Sequence, residues 1–367
     1  MRIVILNTAA SKTGALSILK DFYEYVKIND KSNEYIFIVS DNYIEETENI
    51  KVIVRDDIKV SRIKRLKFDK FEGAKFIESL KPDVFFSMQN TAPAGYKGKT
   101  VLYVHQPLGF QKAKTFSFFK GNEREYAIYQ HIICKMIDKS IKKADKVIVQ
   151  TKWMRDAIIK KTKISKEKIV SIIPDVTIPE KFVKKIKSDD SGVVRFFYPA
   201  GNILYKNHDI LIKAATILKD KNINNFKIEI TLNKEDLIGK TNMELVEKLG
   251  DTICFRGSME REDVFNTYLN SVLVFPSYIE TFGYPLMEMK VLGRLILASD
   301  EPFCHEILEG YDRVNYFNAF DERELSRLME CVIKGEINKD YNVSLENNYS
   351  SNEGNSWGYV IKEIQSV

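Results

Sequence analysis

The chain has 367 residues, of which 44% are hydrophobic and 29% charged, and this is the composition of a globular protein too long for one compact core. Its 17 glycines and 9 prolines exclude a collagen-like or low-complexity chain, and its sequence has no apolar run of the roughly 18–20 residues that a membrane-spanning helix needs. The net charge of +5 combines +13 over residues 1–172 with −8 over residues 173–367, which predicts two domains that face different partners.

Short β-branched runs alternate with amphipathic segments through the first part of the chain. Strands are predicted at 2–6, 35–39, 51–54, 83–87, 100–105 and 146–150, and helices at 14–28, 68–80, 122–143 and 152–160. This alternation is typical of βαβ units that build a parallel sheet. We therefore predict an α/β, Rossmann-like domain over residues 1–173.

A second alternating series follows residues 174–192, whose prolines, four lysines and Asp-Asp-Ser-Gly turn predict a linker. Strands are predicted at 193–198, 226–231, 252–256, 272–275, 294–298 and 314–317, and helices at 206–219, 242–249, 260–270, 285–292 and 321–334. We assign a second Rossmann-like domain to residues 193–350. The Asn-rich stretch 342–355 is predicted to be a loop, and 351–367 a closing segment with a short helix that contains Trp357.

Two such domains suggest a nucleotide-dependent enzyme with a cleft between them. The kind of nucleotide chemistry is narrowed by motifs that the sequence lacks. The dinucleotide fingerprint G-x-G-x-x-G, the phosphate loop G-x-x-x-x-G-K-[ST] and the metal-holding pair D-x-D are all absent. The cysteines form no C-x-x-C pair and the histidines no H-x-x-x-H pair, so no zinc site is expected. The apolar run at residues 3–6 is too short for a secretory signal, which predicts a cytoplasmic protein with reduced cysteines.

The most informative stretch is residues 275–288, FPSYIETFGYPLME. A buried strand ends at Pro276, a loop carries Glu280, and a helix begins near Pro285, because proline is favoured in the first helical turn. Amides at the start of that helix can bind an anion or sugar hydroxyls. Glu280 and Glu288 can face one ligand, and a carboxylate can accept two hydrogen bonds from a vicinal diol such as ribose.

This stretch closely resembles the Glu-x7-Glu signature of family 4 of the retaining glycosyltransferases, whose fold, GT-B, has two Rossmann-like domains with a cleft between them and a C-terminal helix that crosses back to the first. The resemblance implies that Glu288 holds the ribose of the nucleotide and Glu280 contacts the transferred sugar. It also implies that the backbone near the sugar and diphosphate runs through Phe282, Gly283, Tyr284, Pro285 and Leu286.

A second match lies upstream, where a strand and a loop at Gly201 precede a helix after Lys206. The family places an arginine and a lysine here, both of which contact the donor diphosphate. Lys206 fits the lysine, but Asn202 stands where the arginine often is. The resemblance therefore implies that Lys206 carries most of the positive charge and that Asn202 donates a neutral hydrogen bond.

Two residues of the first domain also fit the family. His105 follows the predicted strand 100–105, and the carboxyl end of a parallel strand faces the ligand crevice. The resemblance implies that His105 orients the donor sugar near the reaction centre. Gly14 follows the first strand, in a loop where the family uses a glycine so that phosphate or acceptor can approach the backbone.

Two stretches combine basic and aromatic residues, at 59–75 and 110–120. Such mixtures bind anionic lipid headgroups, although a basic domain can also bind nucleic acid or a phosphorylated acceptor, or simply expose solvated lysines. With no nucleic-acid motif in the sequence, we expect no nucleic-acid partner and a peripheral contact with the inner face of an anionic membrane.

The resemblance implies a metal-independent enzyme that moves a sugar from a nucleotide-diphosphate donor to a hydroxyl, with retention of the anomeric configuration and without a cofactor. The nucleotide is expected to be uridine, although no residue excludes guanosine. Resemblance to capsule and O-antigen transferases implies a lipid-linked glycan acceptor. Two alternatives stay open: another GT-B enzyme such as a nucleotide-sugar epimerase or phosphorylase, or a non-catalytic partner subunit of a transferase, which the asparagine at position 202 would suit.

Overall fold

The structure, a computed structural model, describes residues 1–10, 13–58, 61–183, 192–237, 243–338 and 355–367. The chain forms two compact units. Unit 1 comprises Met1–Phe110, Tyr126–Asp175 and Asn352–Val367, and unit 2 comprises Gln111–Glu125 and Val176–Ser351. Each unit is built on one parallel sheet with helices, which is the two-Rossmann-domain architecture expected from the sequence.

The described residues contain 13 strands and 14 α-helices. The strands are β1 (Arg2–Asn7), β2 (Glu34–Val39), β3 (Ile50–Val54), β4 (Val84–Ser87), β5 (Thr100–Tyr103), β6 (Lys146–Val149), β7 (Ile169–Ser171), β8 (Val194–Tyr198), β9 (Phe226–Ile230), β10 (Ile253–Phe255), β11 (Val272–Phe275), β12 (Ile296–Ser299) and β13 (Val314–Phe317). The helices are α1 (Thr13–Asn29), α2 (Arg62–Lys67), α3 (Gly73–Ser79), α4 (Arg124–Ile128), α5 (Cys134–Lys143), α6 (Lys152–Thr162), α7 (Glu180–Val183), α8 (His208–Asp220), α9 (Met243–Leu249), α10 (Arg261–Tyr268), α11 (Tyr284–Val291), α12 (Pro302–Ile307), α13 (Glu322–Ile333) and α14 (Ser356–Gln365). Two π-helical turns, Phe68–Glu72 and Tyr129–Ile133, join α2 to α3 and α4 to α5.

The sheet of unit 1 has the strand order β3-β2-β1-β4-β5-β6-β7, with every neighbouring pair parallel. β4 is buried along its whole length, and β1 and β2 are buried except at their first residue, because helices cover both faces of a parallel sheet. On one face, Phe22 of α1 contacts Phe86 of β4 and Trp357 of α14, with ring centroids 5.6 and 5.0 Å apart. The C-terminal helix therefore belongs to the core of unit 1, where Ser356 Oγ also donates a 2.8 Å hydrogen bond to Asp175.

The sheet of unit 2 has the order β10-β9-β8-β11-β12-β13, again entirely parallel. The chain builds outward in one direction from β8 and in the other from β11, so the strand order reverses between these two central strands. Ligands of open α/β sheets bind outside the carboxyl ends of the strands at such a switch point. The loops that follow β8 and β11 are therefore where this fold positions a ligand.

The structure differs from the predicted domain boundaries at Gln111–Glu125, which the sequence assigns to the first domain but which groups with unit 2. Lys114 and Asn122 of this segment line the same cleft as Asp209 and Lys213 of α8. Within the predicted linker, residues 184–191 lie outside the described residues, and Glu180–Val183 form α7, whose Phe182 stacks on Phe265 at 5.2 Å. Of the predicted loop 342–355, residues 342–354 lie outside the described residues.

Burial also limits which aromatic side chains of the stretches 59–75 and 110–120 could contact a membrane. Phe68, Phe110 and Phe116 are core residues with 1%, 6% and 2% of their surface exposed, so these three side chains are not available to a membrane. Phe71 and Phe119 are exposed instead. In the described part of the chain, no helix is long and apolar enough to cross a bilayer.

Candidate functional site

The two loops at the switch point of unit 2 are tied to each other. β8 and β11 pair in parallel, with Phe197 opposite Leu273, so the loops that follow them leave the sheet side by side. The backbone N–H of Tyr278 donates to the carbonyl of Tyr205 at 3.1 Å, and the hydroxyl of Ser277 lies 3.2 Å from the same oxygen. These contacts hold the loop containing Lys206 against the loop containing Glu280.

Lys206 and Glu280, predicted separately from the sequence, form an ion pair across these loops. The hydroxyl of Tyr198, the last residue of β8, donates to the Lys206 carbonyl at 2.9 Å, and Ser277 Oγ lies 3.0 Å from Glu280 Oε1. Both charged side chains are mostly buried, with 20% and 14% of their surface exposed. The structure thus places a positioned ammonium and a positioned carboxylate together at the switch point.

Gly201 and Asn202 lie on the same loop, but the Asn202 side chain points to a different partner. Its Nδ2 donates a 2.6 Å hydrogen bond to the carbonyl of Asp236. Gly201 is exposed, and its carbonyl accepts from the N–H of Ile203 at 2.9 Å. Asn202 therefore anchors the loop to a neighbouring segment in this structure, whereas a contact of Asn202 with a diphosphate stays a prediction.

Asn207 was not predicted, and it holds the loop in place. It adopts the left-handed conformation, with φ of 61°, which asparagine tolerates better than most residues. Its Nδ2 donates to the carbonyls of Pro276 at 3.2 Å and Ala319 at 2.7 Å. The predicted helix 206–219 includes Asn207, whereas α8 begins at His208. The tolerance of asparagine for the left-handed conformation is the sequence signal that could have indicated this turn.

The segment before α11 has the predicted strand–loop–helix geometry. Gly283 has a φ of 90°, and an added Cβ would lie 3.1 Å from Leu286 Cδ1, so this position requires glycine. Pro285 lies in the first helical turn, Phe282 and Leu286 are buried, and the Phe282 and Tyr284 rings contact edge to face at 5.1 Å. The first turn of a helix leaves backbone donors without intrahelical partners, and these donors suit an anion.

Glu288 lies inside α11 with 5% of its side chain exposed. Its Oε1 accepts from Arg261 at 2.9 Å and its Oε2 from the hydroxyl of Tyr268 at 3.0 Å. Burial raises the pKa of Glu288 above its ordinary value of 4.5, against the opposing effects of Arg261 and Tyr268. Arg261 and Tyr268 were not predicted as site residues, and their spacing of seven on one helix is the only local sign that both could face Glu288.

His105 lies in unit 1, two residues after the end of β5. Its backbone N–H donates to Asn90 Oδ1 at 2.7 Å, and Asn90 Nδ2 lies 3.4 Å from its Nε2. Burial lowers the pKa of His105 to about 4, so the imidazole is neutral at physiological pH. Gly14 lies in the first turn of α1, and its surroundings are outside what the structure describes.

Among the described residues, no group of three or more histidine, cysteine, aspartate or glutamate side chains is arranged to hold a metal ion. The predicted site residues lie at two places in unit 2 and at one place in unit 1. Lys206 and Glu280 share one contact, Glu288 lies in a separate polar cluster on α11, and His105 follows a strand of the other sheet.

Residues 180–351 match the protein family described as "Glycosyl transferases group 1". Over 198 residues the chain is 25% identical to the O-antigen chain mannosyltransferase RfbU of Salmonella typhimurium, a match that covers 53% of this chain and 52% of that protein. The chain thus spans about half the length of this curated relative.

The fold is similar to that of solved glycosyltransferases. The structure of WaaG, a glycosyltransferase involved in lipopolysaccharide biosynthesis, matches with a TM-score of 0.66 and 13% identity, over 100% of both chains. Anabaena HepE, solved in complex with UDP and glucose, matches with a TM-score of 0.65 and 14% identity, also over 100% of both chains. At these identities the likeness establishes the GT-B fold alone.

Proposed function

We propose that this chain, whose residues 180–351 match the family described as "Glycosyl transferases group 1", is a retaining glycosyltransferase that uses a nucleotide-diphosphate sugar. The observation that carries the proposal is the ion pair of Lys206 with Glu280 at the switch point of unit 2. Glu280 lies on the loop directly before α11, and α11 contains the buried Glu288. A cation, a set of helix amides and two carboxylates are the groups that a diphosphate and two sugars require.

Glu288 is suited to bind the ribose. A carboxylate has about four lone-pair sites, and Arg261 and Tyr268 occupy one on each oxygen. The two remaining sites can accept hydrogen bonds from vicinal hydroxyls. Because Glu288 is buried, those bonds form in a low-dielectric environment, where they are stronger than in water.

Lys206 is suited to the diphosphate. Its ammonium has three donors, so it can keep its contact with Glu280 and also meet a phosphate oxygen. As the glycosidic bond breaks, negative charge grows on the departing phosphate, and Lys206 together with the first-turn amides of α11 stabilises that charge. We infer a same-face route in which the departing phosphate accepts the acceptor's proton, Glu280 holds the donor sugar, and no metal is needed because Lys206 supplies the positive charge.

We further propose a UDP-sugar donor and a lipid-linked glycan acceptor in the assembly of a surface polysaccharide such as capsule or O-antigen, on the cytoplasmic side of the membrane. The structure of HepE in complex with UDP supports the proposed donor, and the description of RfbU as an O-antigen chain mannosyltransferase supports an acceptor of the O-antigen type. The neutral imidazole of His105 can orient the donor sugar by accepting or donating one hydrogen bond.

A thermal-shift screen with UDP-, GDP- and ADP-sugars tests the donor. A donor at 100 times its dissociation constant stabilises the fold by about 2.7 kcal/mol, which shifts the Tm measurably. The same donor should release its nucleoside diphosphate faster when a glycan acceptor is added. Failure of every nucleotide sugar to raise the Tm would contradict the proposal.

Two other outcomes would point to the alternatives. Conversion of the donor without any acceptor would indicate an epimerase-type GT-B enzyme, and binding without turnover would indicate a non-catalytic partner subunit. Glu288→Ala serves as the site variant in each assay, and Glu260→Ala is the matched control, because Glu260 is an exposed carboxylate one residue before Arg261.

A further inference from the structure

Unit 2 contains a cleft that the proposed roles of Lys206, Glu280 and Glu288 do not use. Its volume is about 310 Å³, at the lower end of the range of about 300–1,000 Å³ for small-molecule sites. Its lining comes from the start of α8, the start of α13 and the segment Gln111–Glu125. We call it the α8–α13 cleft and define it by six of the residues that line it: Lys114, Asn122, Asp209, Lys213, Phe320 and Glu322.

The cleft adjoins the two loops that carry the charged pair of the candidate site. Leu204 and Tyr278 also line the cleft, and they lie two residues before Lys206 and Glu280 respectively. The same two loops are joined by the hydrogen bond from the Tyr278 N–H. A molecule in the cleft therefore lies beside the reaction centre of the proposed transfer.

Hydrogen bonds and ion pairs hold the walls of the cleft in place. Lys114 Nζ pairs with the buried carboxylate of Glu123 at 3.0 Å, and Gln111 Nε2 donates to the Lys114 carbonyl at 2.7 Å. On the facing wall, the Asn207 amide donates to the carbonyl of Ala319 at 2.7 Å. Walls that are already fixed lose little conformational freedom when a ligand binds.

The lysines and carboxylates that line the cleft balance in number. Lys114 and Lys213 supply two ammonium groups, and Asp209 and Glu322 supply two carboxylates. Lys213 pairs with Asp209 at 2.6 Å, and the hydrogen bond to Asp209, together with the charge of Glu322, raises the pKa of Lys213. An anion would be repelled by the carboxylates and a cation by the lysines. A neutral molecule with many hydroxyl groups can accept hydrogen bonds from the first and donate them to the second.

Phe320 adds an apolar surface to this polar lining. Its side chain is 52% exposed, and its ring contacts that of Tyr278 with centroids 5.0 Å apart, which restrains its orientation. A sugar ring has an apolar face of C–H groups between its hydroxyls, and that face can cover an aromatic ring and remove it from water. The exposed amide of Asn122 offers a further donor and acceptor. An aromatic ring, an amide and balanced charges together suit a sugar.

We propose that the α8–α13 cleft binds a neutral oligosaccharide, whose hydroxyls pair with Lys213 and Glu322 and one of whose rings covers Phe320. Its role in transfer rests on the proposed function: the oligosaccharide is then a part of the acceptor glycan, held beside the hydroxyl that receives the sugar. The cleft thereby favours an acceptor of several sugars over a single sugar.

Calorimetry and saturation-transfer NMR with neutral trisaccharides test the cleft in the full chain without nucleotide. The probes are mannotriose, maltotriose and cellotriose, and at least one should bind. Phe320→Ala should raise its Kd by about fivefold, because the half-exposed ring no longer supplies apolar surface for the sugar to cover. Glu322→Gln should raise it by a similar factor of about five, because a charge-assisted hydrogen bond becomes a neutral one.

Matched controls separate the cleft from aromatic and acidic surface in general. Phe119→Ala removes a ring that is 98% exposed on the segment Gln111–Glu125, and Glu309→Gln removes an exposed carboxylate that follows α12. Neither residue lines the cleft, so both controls should bind the trisaccharide within about twofold of the unaltered chain. All four variants should keep the circular dichroism spectrum and the Kd for UDP.

The role in transfer has its own measurement. Phe320→Ala should raise the KM for a trisaccharide acceptor by about fivefold more than the KM for the corresponding monosaccharide, because only the longer acceptor also fills the cleft. An equal rise for both acceptors would overturn this role.

Failure of all three trisaccharides to bind would overturn the proposal, and if UDP still binds, the proposed transfer reaction is unaffected. Unchanged trisaccharide affinity of both cleft variants would overturn it as well. So would displacement of the trisaccharide by UDP, which would make the cleft a part of the nucleotide site. Trisaccharide binding by a chain that binds no nucleotide sugar would support the cleft and contradict the proposed transfer reaction.

Discussion

Replacing the buried carboxylate of Glu288 should weaken nucleotide binding. It should also remove the free-energy cost of keeping a charged carboxylate in the interior of the folded protein. Glu288→Ala removes the acceptor of the proposed ribose hydrogen bonds. A hydrogen bond to a buried charge contributes about 1.5–3 kcal/mol, which corresponds to a roughly 10- to 150-fold rise in the Kd for UDP. Glu288→Gln retains one carbonyl acceptor, so its Kd should rise toward the lower end of that range.

The same residue should make stability depend on pH. Burial raises the pKa of Glu288 above 4.5, so the folded protein retains this proton to a higher pH than the unfolded chain. Glu288 therefore favours folding most below its ordinary pKa, and this contribution is lost as the pH rises through the raised value. Glu288→Gln cannot ionise, so its free energy of unfolding relative to the unaltered chain should increase as the pH rises above the ordinary pKa of a glutamate, 4.5.

Calorimetric titration with UDP and urea unfolding at several pH values measure the two effects. Glu260→Gln is the control, because it removes an exposed carboxylate beside Arg261 and should change neither the Kd nor the stability difference. An unchanged Kd for both Glu288 variants would remove Glu288 from the nucleotide site. A stability difference that does not vary with pH would refute the argument from burial.

Four further outcomes are expected. Lys206→Ala should lower kcat by about 10²–10³-fold, or roughly 2.7–4 kcal/mol, with a smaller loss of donor affinity. Lys206→Arg should retain only part of the kcat of the unaltered chain. A change in donor affinity alone would make Lys206 a binding residue. Activity in excess EDTA should stay within a few-fold of the untreated rate, whereas complete loss restored by magnesium or manganese would contradict the proposed mechanism. His105 should titrate near pH 4 by NMR. Because its pKa is lowered, its contribution to stability should be present above about pH 6.5 and lost as the pH falls toward 4. A titration midpoint near 6.5 would contradict the burial of His105. Gly283→Ala should lower the free energy of unfolding by about 1–3 kcal/mol because residue 283 has a positive φ. Gly201→Ala is the control and should leave the free energy of unfolding unchanged, because a Cβ there has no neighbour within 4 Å. Equal values for the two variants in urea melts would show that an alanine at position 283 is not strained.

The sequence by itself determined the architecture and the local geometry of the site. The alternation of apolar strands and amphipathic helices predicted two parallel α/β units, because that periodicity is a local property of the chain. The stretch 275–288 likewise encodes its own strand, loop and helix, since Gly283 and Pro285 specify the turn and the helix start. The three-residue strand β7 and the four-residue helix α7 escaped prediction, because neither is long enough to show a period of its own.

Only the tertiary structure decided which side chains meet. The ion pair of Lys206 with Glu280 joins residues 74 positions apart, and it exists because β8 and β11 are neighbours in the sheet. The burial of Phe110 and Phe116 and the exposure of Phe71 were equally hidden, since similar basic and aromatic sequences surround all three. Strand order and burial arise from contacts between segments distant in the chain, and local spacing carries no information about them.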